Sequence, residues 1–248
     1  HSFPTRRSSD LNTSMSKKSF LTSGSYYIDL PKYNLRFISL NTVIYSKKRE
    51  ENEKDPYEQF TWLEHILNTD LKTILVFSVP PGIAFPGKRS LWSKEYAKEL
   101  GSIFEAYKPS YALGAHIHLD LIMPMFGTQT LALSNPSISP RYGNNPAFRV
   151  YFIEKNRMVD YSQYYADIHN GTKEIKWELE YSFLNEYDKS SISQSDLQDT
   201  VEEIKNDPRK YWTFKEHLFA RASENRVFFR CIQSAFSEES FDKCIQHL

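Results

Sequence analysis

From Leu35 to His118 the chain alternates strand-like and helix-like segments, an order that restricts it to a sheet with helices packed on its faces. LRFISLNTVIY, Leu35 to Tyr45, is rich in β-branched and aromatic residues and predicts a buried strand. Pro56 can open a helix behind Asp55, and Phe60, Leu63, Ile66 and Leu67 follow at helical spacing. TILVFSV, Thr73 to Val79, is a nearly continuous apolar run of strand length, as expected of a central strand, and Pro80-Pro81-Gly82 stops it. A second helix is predicted over about Leu91 to Tyr107, because the residue before Pro109 disfavours continuation, and YALGAHIH then returns to extended structure.

TLALSN, AFRVYFIE and VDYSQYYADI read as three further strands with meander-like spacing. From Thr172 onward the pattern is read as helical, with the apolar and aromatic residues Ile175, Trp177, Leu179, Tyr181 and Phe183, a polar stretch after them, and Ser195 or Asp196 capping the next helix, which continues until Pro208. Three units follow: a disordered or foreign tail over residues 1–23, an α/β part over 24–169, and a small helical part over 170–248. The tail is set apart because HSFPTRRSSDL has no apolar run and does not match the pattern after it, so it is no secretory leader.

The charge balance, 31 Lys plus Arg against 31 Asp plus Glu, gives no field favouring nucleic acid or an anionic membrane. No stretch approaches the roughly 18 apolar residues of a membrane span, so none is expected. With 40% hydrophobic residues in 248, a sizeable core is within reach. Cys231 and Cys244 are too few for a disulfide framework and fit either one bond or two buried thiols. Asn170-Gly171-Thr172 is an N-glycosylation sequon.

His116-Ile117-His118 is the sharpest chemical feature. On a strand or at a strand end, residues two apart share a face, so two imidazoles could hold one metal or reach towards two, with Asp120 extending that face. Two histidines on a solvated strand would look the same. Asn135 to Tyr151, NPSISPRYGNNPAFRVY, is dense in Asn, Pro and Gly and predicts a long shaped loop of the kind that lines pockets.

Taken together, SLNT (Ser39 to Thr42), Asp55-Pro56, Gln59, Trp62-Leu63, VPPG (Val79 to Gly82), AHIHLD (Ala115 to Asp120), the Asn135 to Tyr151 loop and WELEYSF (Trp177 to Phe183) resemble, in order and spacing, landmarks of acid sphingomyelinase and acid-sphingomyelinase-like phosphodiesterases. The resemblance runs from about Gly24 to Leu248. It implies the C-terminal half of a calcineurin-like αββα metallophosphoesterase sandwich followed by a small helical domain. It also implies two zinc ions that clamp a phosphate and activate a bridging water, a bond between Cys231 and Cys244, a secreted, lysosomal or periplasmic location, and a phosphodiester or lipid head group as substrate.

In that family one ligand group comprises Asp-x-His, Gly-Asp and Gly-Asn-His-Glu, and a second comprises a His before Val/Ile-Pro-Pro-Gly and Gly-His-x-His. Here no Gly-Asp and no Gly-Asn-His occurs, and no Asp-x-His precedes the second group. The N-terminal half of the domain is therefore expected to be missing. Ser78 stands where the resemblance places a His, and Gly-His-x-His has become Ala115-His116-Ile117-His118. His116 and His118 are the implied metal ligands and Tyr142 an implied substrate contact; no catalytic residue is assigned. A chain with two of the ligands is expected to be inactive by itself, the alternative being a non-catalytic secreted binding module on the same scaffold.

Overall fold

The structure is a computed structural model and describes residues 14–46, 53–84, 89–168, 174–222 and 229–247. It is mixed α/β, with two sheets and a helical C-terminal part. The first sheet is built from β1 (Tyr26–Leu30), β2 (Leu35–Leu40), β3 (Lys72–Phe77), β4 (Tyr111–Gly114), β5 (Leu121–Pro124) and β6 (Leu131–Ser134), in the order β1-β2-β3-β4-β6-β5. β2, β3, β4 and β6 are parallel, and β1 and β5 close the edges antiparallel. The crossovers carry α2 (Gln59–Leu67) and α3 (Lys94–Tyr107). Ile74, Leu75, Leu113 and Leu133 of the inner strands are buried, as expected of strands covered on both faces.

Both predicted helices form but start later than expected: Pro56–Glu58 is a 3-10 turn and α2 begins at Gln59, while α3 begins at Lys94. Asp55 accepts from the Phe60 N–H (2.8 Å) and the Thr61 N–H (3.0 Å), so its carboxylate serves the first free donors of α2. Ser93 caps α3 by accepting from the Tyr96 N–H, and Lys108 ends it at φ 46, just ahead of Pro109. The strand predicted over Leu35 to Tyr45 stops at Leu40. Thr42–Tyr45 instead forms a 3-10 turn that drives Tyr45 inward to stack on Phe60, with ring centroids 4.4 Å apart.

The second sheet contains β7 (Ala147–Glu154), β8 (Arg157–Tyr165) and β9 (Glu178–Ser182), all antiparallel. β9 corrects the helical reading of Trp177 to Phe183: Trp177, Leu179, Tyr181 and Phe183 alternate with period two, the strand signature, and only α4 (Phe183–Tyr187) is helical there. The boundary drawn near Asn170 therefore does not separate strands from helices, since β9 lies beyond it and pairs with β8. The sheet's outer face leaves Val150, Phe152, Trp177 and Leu179 exposed, with Phe148 stacked on Tyr164 at 5.4 Å.

α5 (Gln194–Asn206), α6 (Pro208–Leu218), α7 (Phe229–Ser234) and α8 (Glu238–Ile245) follow. The cap of α5 is Ser193, which accepts from the Asp196 N–H, and not Ser195 or Asp196. Cys231 and Cys244 are bonded across α7 and α8, Cα to Cα 5.6 Å, the pairing that the family resemblance implied. Part of the expected tail is ordered: Ser14–Ser23 forms α1, and its buried Ser16 hydroxyl accepts from the Tyr27 N–H at 3.2 Å. Among the described residues no helix is long and apolar enough to cross a membrane. Asn170 lies outside the described residues.

Candidate functional site at the strand ends

Parallel strands end on one side of a sheet, and the chain turns there into the loops that can carry chemistry. The ends of β2, β3, β4 and β6 are tied to one another. The Thr42 hydroxyl accepts from the Val79 N–H (2.9 Å), joining the turn after β2 to the one after β3. The Ala115 N–H donates to the Ser78 carbonyl (3.1 Å), joining β3's end to the histidine loop. The Asn135 backbone and side-chain N–H groups both donate to the Gly114 carbonyl at 2.9 Å, and the Tyr151 hydroxyl donates to Asn135 Oδ1 at 2.7 Å. The sequence landmarks SLNT, VPPG, AHIH and SNPSIS are thereby adjacent.

His116 and His118 do not lie on a strand, which corrects the expected geometry. β4 ends at Gly114, and the Ile117 N–H bonds back to the Ala115 carbonyl at 2.7 Å, with His116 at φ 66 between them. This is the γ-turn of positive φ, rare and strained in an L-residue. His118 repeats φ 66. Two strained residues in one short loop persist only where the surroundings over-determine them, and such strain concentrates at functional sites. Ile117 and Leu119, on either side of His118, are buried and hold the loop down, while His116 is exposed and His118 half-buried.

His118 packs edge-to-face against Tyr142, with centroids 5.5 Å apart. Burial and the neighbouring Arg141 lower the pKa of His118, favouring the neutral imidazole a metal requires. Its Nδ1 is buried and has no hydrogen-bond partner, so that nitrogen is committed to nothing within the protein. Zinc takes neutral imidazole nitrogen, the form that the lowered pKa favours at His118. Ser78 is exposed beside the loop, where its carbonyl accepts from the Ala115 N–H. One Asp-x-His triplet does occur, Asp167-Ile168-His169, but it follows the His pair, out of family order, and His169 lies outside the described residues.

Asp120 does not extend the face of the histidine pair. It is buried and faces the second sheet, where its carboxylate accepts from the Arg149 guanidinium and from the Tyr181 hydroxyl. Arg149 also bonds Gln163 Oε1 (2.8 Å) and stands over the Tyr161 ring at 4.2 Å. Burial opposes its charge, but Asp120 and the surrounding tyrosine oxygens hold its pKa well above the ordinary value. Beside this cluster lies a second one: His217 stacks on Tyr181 at 4.0 Å, with Glu180 and Glu186 on its two nitrogens. The register shifts between Gln163, paired with Tyr181, and Tyr164, paired with Leu179, so Glu180 is the extra residue of a bulge on β9 and is buried beside Tyr181. Sequence reading missed this polar layer, because a charged residue's burial depends on partners far along the chain.

No family model matches the chain. A sphingomyelinase phosphodiesterase D of Dictyostelium discoideum is 29% identical over 68% of this chain and 43% of its own length. The cyclic GMP-AMP phosphodiesterase SMPDL3A of Mus musculus is 26% identical over 93% of this chain and 59% of its own. A sphingomyelin phosphodiesterase of Bos taurus is 26% identical over 78% of this chain and 34% of its own. The chain spans about half the length of the curated relatives it matches. The order of landmarks along the sequence and these similarities agree, and the chain is a relative of the acid-sphingomyelinase-like phosphodiesterases.

Proposed function

We propose that this chain forms the C-terminal half of a calcineurin-like phosphodiesterase domain, in which His116 and His118 supply two imidazoles to a zinc centre and Tyr142 borders the phosphodiester. The observation that carries the reading is His118: a half-buried imidazole, on a strained loop at the parallel strand ends, with Nδ1 uncommitted and a phenol against its ring. When bound, the metal pair would polarise the phosphate and supply hydroxide. The residues present here would position it and flank the substrate. The carboxylates that bridge two ions are not supplied by these strand ends, so the chain alone should bind zinc weakly and turn nothing over. The Cys231–Cys244 bond supports a secreted or lysosomal setting, since disulfides persist in oxidising compartments.

Ser78 favours a second reading, a non-catalytic binding module, because an exposed neutral hydroxyl is a poor zinc ligand. Zinc content after dialysis, with hydrolysis of bis(p-nitrophenyl) phosphate and sphingomyelin, separates the outcomes for the purified chain. Weak zinc uptake lost in His118→Ala, without turnover, is expected. Uptake unaffected by His118→Ala would overturn the metal assignment, and turnover by the chain alone would overturn its inactivity. Restoration of turnover by Ser78→His in a protein of the relatives' full length supports the enzyme reading; no metal and no turnover there supports the binding module.

A further inference from the structure

A cleft of about 540 Å³ opens between α3, the turn after β5 and the start of α8, and none of Ser78, His116, His118 or Tyr142 lines it. Its apolar wall comes from Trp92, Ala97, Phe126 and Phe236. Lys94 and Lys98 stand on its rim one helical turn apart, both exposed. The size and the mostly apolar lining with a few charged groups are those of small-molecule sites.

The cleft is held open by rigid parts. Its back is a backbone-to-backbone contact: a Cβ on Gly101 would lie 1.6 Å from the Gly127 carbonyl oxygen, and one on Gly127, at φ 83, would lie 1.9 Å from the Ala97 carbonyl oxygen. Only two glycines allow α3 and the β5–β6 turn to meet this closely. The Trp92 indole is fixed by donation to the Val79 carbonyl (2.9 Å), and the Phe126 N–H donates to the Pro81 carbonyl (2.6 Å). On the far side the Cys231–Cys244 bond braces the α7–α8 hairpin that presents Phe236, and Glu238 Oε1 ties the hairpin to the body by accepting from the Ser90 N–H at 2.6 Å.

Charge decides the occupant. Of the two acidic rim groups, Glu238 accepts from the Ser90 N–H, and Glu239 pairs with Lys243 at 2.7 Å and is attracted more weakly by Lys94, which leaves Lys98 as the ammonium without an acidic partner on the rim. The ammonium groups of Lys94 and Lys98 stand at the start of α3, where the helix dipole also favours negative charge. We propose that this cleft binds a small anionic amphiphile, its apolar chain against Trp92, Phe126 and Phe236 and its acid group at Lys94 and Lys98.

Titration calorimetry of the purified chain with decanoate, below its micelle concentration, tests this. Saturable one-to-one binding is expected, with acetate and uncharged decanol each about tenfold weaker or more, since the apolar wall and the charge pair both contribute. The double variant Lys94→Glu/Lys98→Glu should lose about tenfold in affinity or more, and Lys94→Gln/Lys98→Gln less. Both side chains are exposed, and an unchanged circular dichroism spectrum verifies the fold. Absence of saturable binding, equal affinity for decanol or acetate, or indifference to the charge reversal overturns the proposal.

Discussion

His217 Nδ1 lies 2.8 Å from Glu180 Oε1 in the interior, between a helix of the C-terminal part and the bulged last strand of the second sheet. His217 is 2% exposed, and its Nε2 stands 3.3 Å from Glu186 Oε1, within ion-pair range. Burial works against the charged ring, but the hydrogen bonds and charges of Glu180 and Glu186 outweigh it and raise the pKa from 6.5 to about 9.

A pKa raised in the folded state gives stability that is fully present below the unfolded value of 6.5 and lost as pH rises through about 9. The contribution is on the order of 3 kcal/mol. Glu186, depressed first by the His217 hydrogen bond, acts in the opposite sense: its share is present above its ordinary value of 4.5 and lost as pH falls below it. Thermal unfolding should therefore show a melting temperature highest between about 4.5 and 6.5 and falling towards 9. In His217→Gln the fall between 6.5 and 9 should disappear; a wild-type-like fall in that variant would refute the assignment.

Arg149 and Asp120 form an ion pair with side chains 1% and 5% exposed. Removing one partner leaves a buried charge unmatched, so Arg149→Met should cost about 3 to 5 kcal/mol in urea unfolding. Asp120→Asn combined with Arg149→Met should cost less than the sum of the single changes, because the second substitution removes the charge the first one stranded. Strict additivity would show that the two groups act independently.

The disulfide closes a loop with a sequence separation of 13 and joins helices of six and eight residues. Helices this short are marginal without tertiary support. Reduction should lower stability by about 3 kcal/mol, read as a drop in melting temperature in dithiothreitol that Cys231→Ser/Cys244→Ser reproduces without reductant. No change on reduction would mean that packing of Cys231, Ile232 and Phe241 holds the hairpin unaided.

Much of the α/β part was legible because its signals are local. The Thr73 to Val79 run, the stop of α3 ahead of Pro109 and the apolar and aromatic AFRVYFIE segment act within a few residues of where they appear. WELEYSF was misread because aromatic residues two apart fit a strand and also fall within a helical pattern, and only pairing with β8 settles which. The site was legible in part: His116, His118 and Tyr142 were named as candidates, and the structure sets His118 against Tyr142. Their backbone was not, since the positive φ at both histidines follows from how Ile117 and Leu119 are buried around them.

By itself the sequence determined the strand–helix alternation of an α/β sheet, the histidine pair as its sharpest chemical feature, and the resemblance carried by landmarks in register. Tertiary structure alone decided that Asp120 turns away from the histidines to Arg149, that a bulge swings Glu180 onto His217, and that two glycines let α3 and the β5–β6 turn meet. Hydrophobic period and caps act over a few residues and are written into the chain. The burial of a charge, or the close approach of two backbones, depends on groups far apart in sequence that meet only in the folded state.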